Sequence, residues 1–333
     1  MRVMVLGGAG FIGRHIAAAL AAHGHEVVVG SRYPRRASRR LPPHLHRAER
    51  REIHLERLCS AEDWEGPLRG VDAVVNAVGI LRERGSETYE RVHHLSPAAL
   101  ATACARLKLR LVHISALGLR DDARSRFLRS KLAGERAIAA GGADYSVVRP
   151  ALLEGDAGFG ADWLHRAARL PLHFVPADAT GRLAIMHVRD LGDAIAALCE
   201  TRFHSEWREV ELGGTACPTI GEYLEALRAA HTPRRAWRIE VPAWLARAAS
   251  HLCDLLHFSP FSYGHLELMR RDNVPRVNAL RALIGRAPKR VVRYASLLES
   301  GVDPRRAFVA STNRRSVPSN LPGRAGPSSL AGL

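Results

Sequence analysis

Gly7, Gly10 and Gly13 form a GxxGxxG triplet in "GGAGFIGRHI", directly after the apolar run "RVMVL". Between a strand and a helix such a triplet is a phosphate cradle. The first glycine permits a tight turn, the second lets backbone approach a pyrophosphate, and the third lets the helix pack closely on the strand. The pyrophosphate then lies on the helix N-terminus, where unpaired N–H groups and the helix dipole favour anions. A triplet alone is weak evidence, but its place at a strand-to-helix junction is the context it needs. Phe11 and Ile12, inside the triplet, belong to the same expected site.

The next strand ends in "VVVGSRYPRR". Folds that prefer NAD usually carry Asp or Glu here for the ribose hydroxyls, whereas an arginine accommodates a 2′-phosphate. This chain has Ser31 and Arg32, followed by Arg35 and Arg36. A guanidinium is planar, permanently charged and presents a fork of donors that suits phosphate. The expected cofactor is therefore NADP(H) in preference to NAD(H). The plainer alternative is that Arg32 belongs to a general excess of arginine.

That excess is large. Lys and Arg total 49 against 33 Asp and Glu, a net charge of +16 over 333 residues. A basic field attracts nucleic acid, anionic lipid or acidic partners. No zinc-finger spacing or RNA-binding aromatic motif accompanies it, so no specific nucleic-acid partner is expected. The five cysteines are odd in number and scattered, which points to reduced thiols in a cytoplasmic setting. No CxxC or HExxH occurs, and the histidines, His93 and His94 included, read as ordinary surface or core residues with no metal site. No apolar run has bilayer-spanning length, and the first one leads into a glycine turn instead of a cleavage site.

The elements that must position these residues alternate. "RVMVLG", "EVVVGSR", "RREIHLERL", "VDAVVNAVG", "RLVHISAL" and "YSVVRPALL" read as strands. "IGRHIAAALAAHG", "HLSPAALATACARLKL" and "RSKLAGERAIAAGG" read as helices between them. Ser96 is the expected cap of the second helix, with Pro97 in its first turn. Buried strands alternating with helices mean a parallel sheet covered on both faces. The predicted fold class is α/β, a doubly wound Rossmann fold with a smaller mixed C-terminal substrate or partner lobe. The expected divisions are a nucleotide-binding domain at 1–150, a lobe at 151–305 interleaved with it, and a disordered tail at 313–333. In the lobe, "IMHVRDLGDAIAALCE" reads as one helical piece and "WREVELGG" as a short strand. "PAWLARAASHLCDLLHF" reads as an amphipathic helix. Its Trp244, Leu245, Ala248, Leu252, Leu255 and Leu256 recur at helical spacing and are expected to pack on the body; membrane-surface or partner contact is the alternative.

"GGAGFIG" resembles the cradle of extended and atypical short-chain dehydrogenases, and further segments follow that superfamily's order. The resemblance implies that Asn76, Ala77, Val78 and Gly79, at the end of "VDAVVNAVG", lie beside adenosine and ribose. It implies that Ser115 holds the strand-end Ser/Thr position and that Arg149 and Pro150 lead into the substrate region. Active relatives use Tyr-x-x-x-Lys, with both side chains on one helix face. The lysine binds nicotinamide ribose and lowers the tyrosine pKa, and the tyrosine exchanges a proton during hydride transfer. Here Lys131 is present, but Phe127 stands at the tyrosine position. Tyr89 and Tyr145, the nearest tyrosines in sequence, lack the helical spacing. Ser115 and Lys131 remain as the catalytic candidates, with Lys131 also holding cofactor. In "HLERL", Arg57 falls where many relatives carry an adenine-contacting Asp.

"VVNAVGIL", "RFLRSKLAGE", "VVRPALLEG" and the late "DLLHFSPFSYGHLELMRRDNV" are similar to one atypical branch. It contains the nucleotide-binding accessory subunit of respiratory complex I and bacterial relatives named as epimerases or dehydratases. The resemblance implies an NADP(H)-binding protein with a structural, regulatory or weakly catalytic role. The alternative is an active NADP-dependent oxidoreductase or epimerase/dehydratase on a small carbonyl or sugar-nucleotide. It also implies quinone, membrane-surface or respiratory-complex partners, at the inner face of the membrane, for an otherwise cytoplasmic protein.

Overall fold

The computed structural model describes residues 1–155, 158–201, 205–256 and 261–291. The expected tail at 313–333 lies outside the described residues.

Seven parallel strands form the central sheet. They are β1 (Arg2–Leu6), β2 (Glu26–Ser31), β3 (Glu49–Glu52), β4 (Ala73–Asn76), β5 (Arg110–Ile114), β6 (Asp144–Pro150) and β10 (Glu209–Leu212), in the order β10-β6-β5-β4-β1-β2-β3. The order reverses between β1 and β4, the switch point at which open α/β sheets bind ligands. Val3, Val5, Val27, Val29, Val75 and Val112 face one helical layer, and Met4, Leu6, Val28, Val74 and Leu111 face the other. Burial on both faces explains why these strands read as continuous apolar runs.

On the first face, α1 (Phe11–Ala22) packs against α6 (Val188–Glu200). The helices meet at Gly192, where an added Cβ would stand 2.9 Å from the His15 carbonyl oxygen. On the second face lie α3 (Ser96–Leu107) and α4 (Arg126–Ala140). The short α2 (Pro34–Ala37) follows β2.

Several expectations change here. β10 joins the central sheet through β6, so "WREVELGG" completes the nucleotide-binding sheet although it lies far along the chain. "IMHVRDLGDAIAALCE" divides into a strand, β9 (Ile185–His187), and α6; β9 pairs with β7 (Leu152–Glu154). His187 caps α6 by accepting from the Arg189 N–H at 3.1 Å.

Ser96 is not a helix cap. Helix enters α3 directly from a π-helical turn at Glu90–Leu95, and Ser96 is buried without a side-chain cap bond. The cause is Pro97. It has no N–H to give the carbonyl of residue 93, and its ring would clash with that carbonyl in ordinary helix geometry. The turn widens instead, and the Ser96 N–H reaches back to the Arg91 carbonyl.

Beyond the sheet, α5 (Phe159–Arg169), β8 (Leu172–Pro176), α7 (Ile220–Ala229) and β11 (Trp237–Val241) precede α8 (Ala243–Leu256), α9 (Tyr263–Met269) and α10 (Leu280–Ile284). β8 and β11 pair as a separate parallel ribbon. The stripe expected to bury α8 does the opposite. Its inner positions are Ala246 and Ser250, while Trp244, Leu245, Ala248, Leu252, Leu255 and Leu256 are exposed. The periodicity is real, but it faces outward.

Candidate functional site

At the switch point the glycine triplet makes the turn its spacing requires. Gly7 has φ +72° and donates from its N–H to the Gly30 carbonyl at 2.9 Å, tying the turn to the end of β2. A Cβ on Gly13 would collide with the Gly7 carbonyl, so only glycine lets α1 sit this close. α1 starts at Phe11 without a side-chain cap, and its first N–H groups are available to a ligand.

A cleft of about 230 Å³ opens above this turn. Gly7, Gly10, Ser31, Arg32, Ala77, Val78 and Gly79 line it together, seven positions expected from sequence. Its far wall adds Tyr33, Ile53, Leu55, Glu56 and Glu87, which the sequence did not single out. Arg57 turns to solvent, while its neighbours Leu55 and Glu56 are buried. Arg32 is half exposed and forms an ion pair with Glu87.

Asn76 lies beneath the loop. Its amide nitrogen donates to His113 Nδ1 at 3.2 Å, and its oxygen accepts from the Val78 N–H at 3.1 Å. It thereby fixes the backbone that carries Ala77 to Gly79. Burial, with a smaller contribution from Lys131, pushes the His113 pKa down to about 3, so the imidazole stays neutral and can accept.

Phe127 and Lys131 stand one turn apart on α4, as the spacing demands, with the Lys131 Nζ 6.0 Å from the Phe127 ring centre. The lysine is buried, and desolvation lowers its pKa to about 8 despite the carboxylate of Glu135. α4 comes this close because of Gly134: any Cβ there would strike the His93 carbonyl, the carbonyl that Pro97 leaves without a helical donor. Glu267 of α9 accepts from the Arg124 and Ser125 N–H groups at 2.7 and 2.8 Å, placing a carboxylate at the start of α4.

His93 is the site residue that sequence reading missed. Its Nε2 accepts from the Ile80 N–H at 3.1 Å, and its Nδ1 donates to Ser130 Oγ at 3.0 Å. Ser130 passes the bond on to the Phe127 carbonyl at 2.9 Å. Burial holds the His93 pKa well below its ordinary value, so this tautomer persists at neutral pH. The available signal was Pro97, four residues downstream. Tyr89 also enters through space: its ring stacks on His93 at 5.4 Å and meets Phe127 edge-on at 5.9 Å. Its hydroxyl donates to the Leu81 carbonyl at 2.7 Å, and burial raises its pKa to about 12. Tyr145 lies at the start of β6, against the second core cluster.

Ser115 follows β5 and is buried, with its Oγ lacking a hydrogen-bond partner among the described residues. Arg149 is engaged elsewhere, bound to Glu135 by three contacts of 2.6–3.1 Å and paired with Glu209. Pro150 is buried and accepts from the Leu117 N–H. Phe11 packs its ring against Gly158, where an added Cβ would stand 2.8 Å away. Among the described residues, no group of His, Cys, Asp or Glu is arranged to hold a metal.

The model of the NAD dependent epimerase/dehydratase family matches residues 3–213. The chain belongs to that family. Its glycine cradle and cleft suit the family's nicotinamide dinucleotide: the turn at Gly7–Gly10 would take phosphate, and Ser31 and Gly79 line the cleft where a ribose would lie. Among curated relatives of the family member described here, the ceramide reductase of Caulobacter vibrioides is 30% identical over 201 residues, 60% of this chain and 61% of that one. The chain therefore matches less than two thirds of the reductase's length. The mitochondrial NADH dehydrogenase [ubiquinone] 1 alpha subcomplex subunit 9 of Arabidopsis thaliana is 25% identical over 286 residues, covering 83% of this chain and 68% of that protein. A nucleoside-diphosphate-sugar epimerase from Staphylococcus aureus shares the fold, with a TM-score of 0.67 at 16% identity over 87% of this chain and 98% of that one.

Proposed function

We propose that this family member is an NADP(H)-binding protein with a structural, regulatory or slow catalytic role. The observation that carries the proposal is Phe127. It occupies the expected tyrosine position one turn before a buried lysine, packed among Tyr89, His93 and His265. A phenyl ring exchanges no proton, and losing a positioned acid or base costs about 10²–10⁴-fold in rate. Tyr89 does not substitute for it: its hydroxyl is committed to Leu81 and its raised pKa makes it a weaker acid.

Arg32 supports the choice of NADP(H). It stands at the cleft rim on the β2 end, paired with Glu87. A 2′-phosphate would take over the guanidinium. Lys131, protonated below about pH 8, would hold nicotinamide ribose. A bound nicotinamide supplies hydride chemistry; the residues here orient it and hold charge near it. Tight binding also stabilises the fold, by about 2.7 kcal/mol when ligand reaches 100 times its dissociation constant.

A second reading is favoured by Ser115 and by the reductase relative. An unpartnered hydroxyl at a strand end suits polarisation of a substrate carbonyl, with water or substrate supplying the proton. One experiment separates the readings. Nucleotide released from the purified protein is identified by mass, and NADPH and NADH are then titrated. NADPH is expected to bind more tightly and to be oxidised only slowly with carbonyl or quinone acceptors. Rapid turnover would overturn the slow-catalysis reading, and tighter NADH binding would overturn the cofactor assignment. Activity gained by Phe127→Tyr would show that the rest of the site is competent.

A further inference from the structure

The β8–β11 ribbon is inverted relative to a soluble sheet edge. Its register sets Trp237 beside Leu172 and Ile239 beside Phe174. In a parallel pair, residues in register share a face. That face points outward: Trp237 is 79% exposed and Phe174 61%, while His173 and Val175, between Leu172, Phe174 and the strand end, are buried. The ribbon is anchored, because the buried Arg228 donates to the Leu170 carbonyl at 2.8 Å and to the Arg234 carbonyl at 2.6 Å, fixing the entry to both strands. After β11 the chain turns at Pro242 into α8, whose Trp244 is 72% exposed. Monomeric soluble proteins seldom leave large apolar side chains exposed side by side, as Trp237 and Leu172, and Ile239 and Phe174, are here.

The structure assigns this ribbon, with the first turn of α8, as a docking face for an anionic bilayer surface. Charge decides the occupant. Within residues 232–252, Arg238 and Glu240 pair with each other on the opposite face of β11, which leaves Arg234, Arg235 and Arg247 and no acid of that stretch beside the ribbon and the first turn of α8. These three arginines are exposed. Exposed tryptophan with flanking arginine is the composition that settles at a headgroup boundary, the rings in the interface and the guanidinium groups on lipid phosphate. A second copy seated face to face would oppose arginine with arginine. The stretch 292–333 of this chain carries six arginines and only two acids, and it is equally mismatched.

The full-length protein is tested by co-sedimentation with vesicles of phosphatidylcholine alone, and of phosphatidylcholine mixed with phosphatidylglycerol. Binding is expected on the mixed vesicles, weaker at high salt. Each arginine at an anionic surface contributes about fivefold, so R234E/R235E is expected to lose more than about tenfold. Phe174→Ser with Trp237→Ser is expected to abolish binding with the melting temperature and NADPH affinity unchanged, since both side chains are exposed. No sedimentation, equal binding to phosphatidylcholine alone, or full binding by the Phe174/Trp237 variant would each overturn the assignment. So would analytical ultracentrifugation showing a dimer that Trp237→Ser dissociates.

Discussion

Phe127 lacks the phenolic oxygen of the tyrosine expected at its position, and its ring is enclosed on several sides. The ring lies between Tyr89, His93, His265 and the ammonium of Lys131, each within about 6 Å of it. Lys131 gives two pH effects of opposite sense. Its folded pKa, about 8, lies below its ordinary value of 10.5. The charge that would hold an anionic dinucleotide is thus present below pH 8 and lost above it. NADPH affinity is expected to fall between pH 7 and pH 9, and the fall to vanish in Lys131→Met; titration across that range checks it. Without ligand, the unfolded chain binds the extra proton between pH 8 and 10.5, so folding stability rises with pH in that window. Arg32→Asp is expected to reverse the NADPH-over-NADH preference, measured as a ratio of dissociation constants. The triplet, Arg32 and Ser115 could be singled out from sequence because each stands at a strand end, and Lys131 because it stands one helical turn from Phe127. His93 and Tyr89 were not, because their roles arise from a widened turn that local pattern does not announce.

The elements position the site through close backbone approaches, and glycine marks each of them. Gly13→Ala would push α1 off the turn at Gly7, and NADPH affinity is expected to drop at least tenfold while the protein remains folded. Gly134→Ala would drive a methyl into the His93 carbonyl, costing about 1–3 kcal/mol of stability by overpacking; urea unfolding would report it. The central strands were readable because burial on both faces makes them apolar throughout. β10 was readable as a strand but not as a sheet member, since the pairing joins residues 147–150 to residues 209–212. The β8–β11 ribbon was not read as strands, and α8 was read with the wrong side inward. In both, the apolar residues that normally mark the buried face point outward, so periodicity located the face and reversed its meaning.

At the scale of the whole molecule, the β4–β5 end of the sheet couples fold stability to acid. His113 is buried beneath the loop that carries Ala77 to Gly79, with a pKa of about 3. The unfolded chain protonates this group at higher pH than the folded one, so stability is lost as pH falls from about 6.5 towards 3. A His113→Gln variant is expected to show a shallower acid-unfolding profile by circular dichroism. The same transition should shift to lower pH when NADPH is bound, because ligand favours the folded state. The overall architecture was legible from alternation alone. An interleaved lobe was expected from sequence, but which segment beyond residue 150 completes the sheet was not legible, because that is a property of the path and not of any segment.

The π-helical turn makes the site depend on chain length as well as on residue identity. One surplus residue between Thr88 and Ser96 is what directs His93 towards Ile80 and Ser130. A one-codon deletion there, at His94, would rotate the preceding residues by about 100° relative to α3. His93 and Tyr89 would leave Phe127 together while α3 kept its own packing. No single substitution reproduces that displacement, so the ring cluster around Phe127 can be remodelled in one genetic step, by insertion or deletion and not by point mutation.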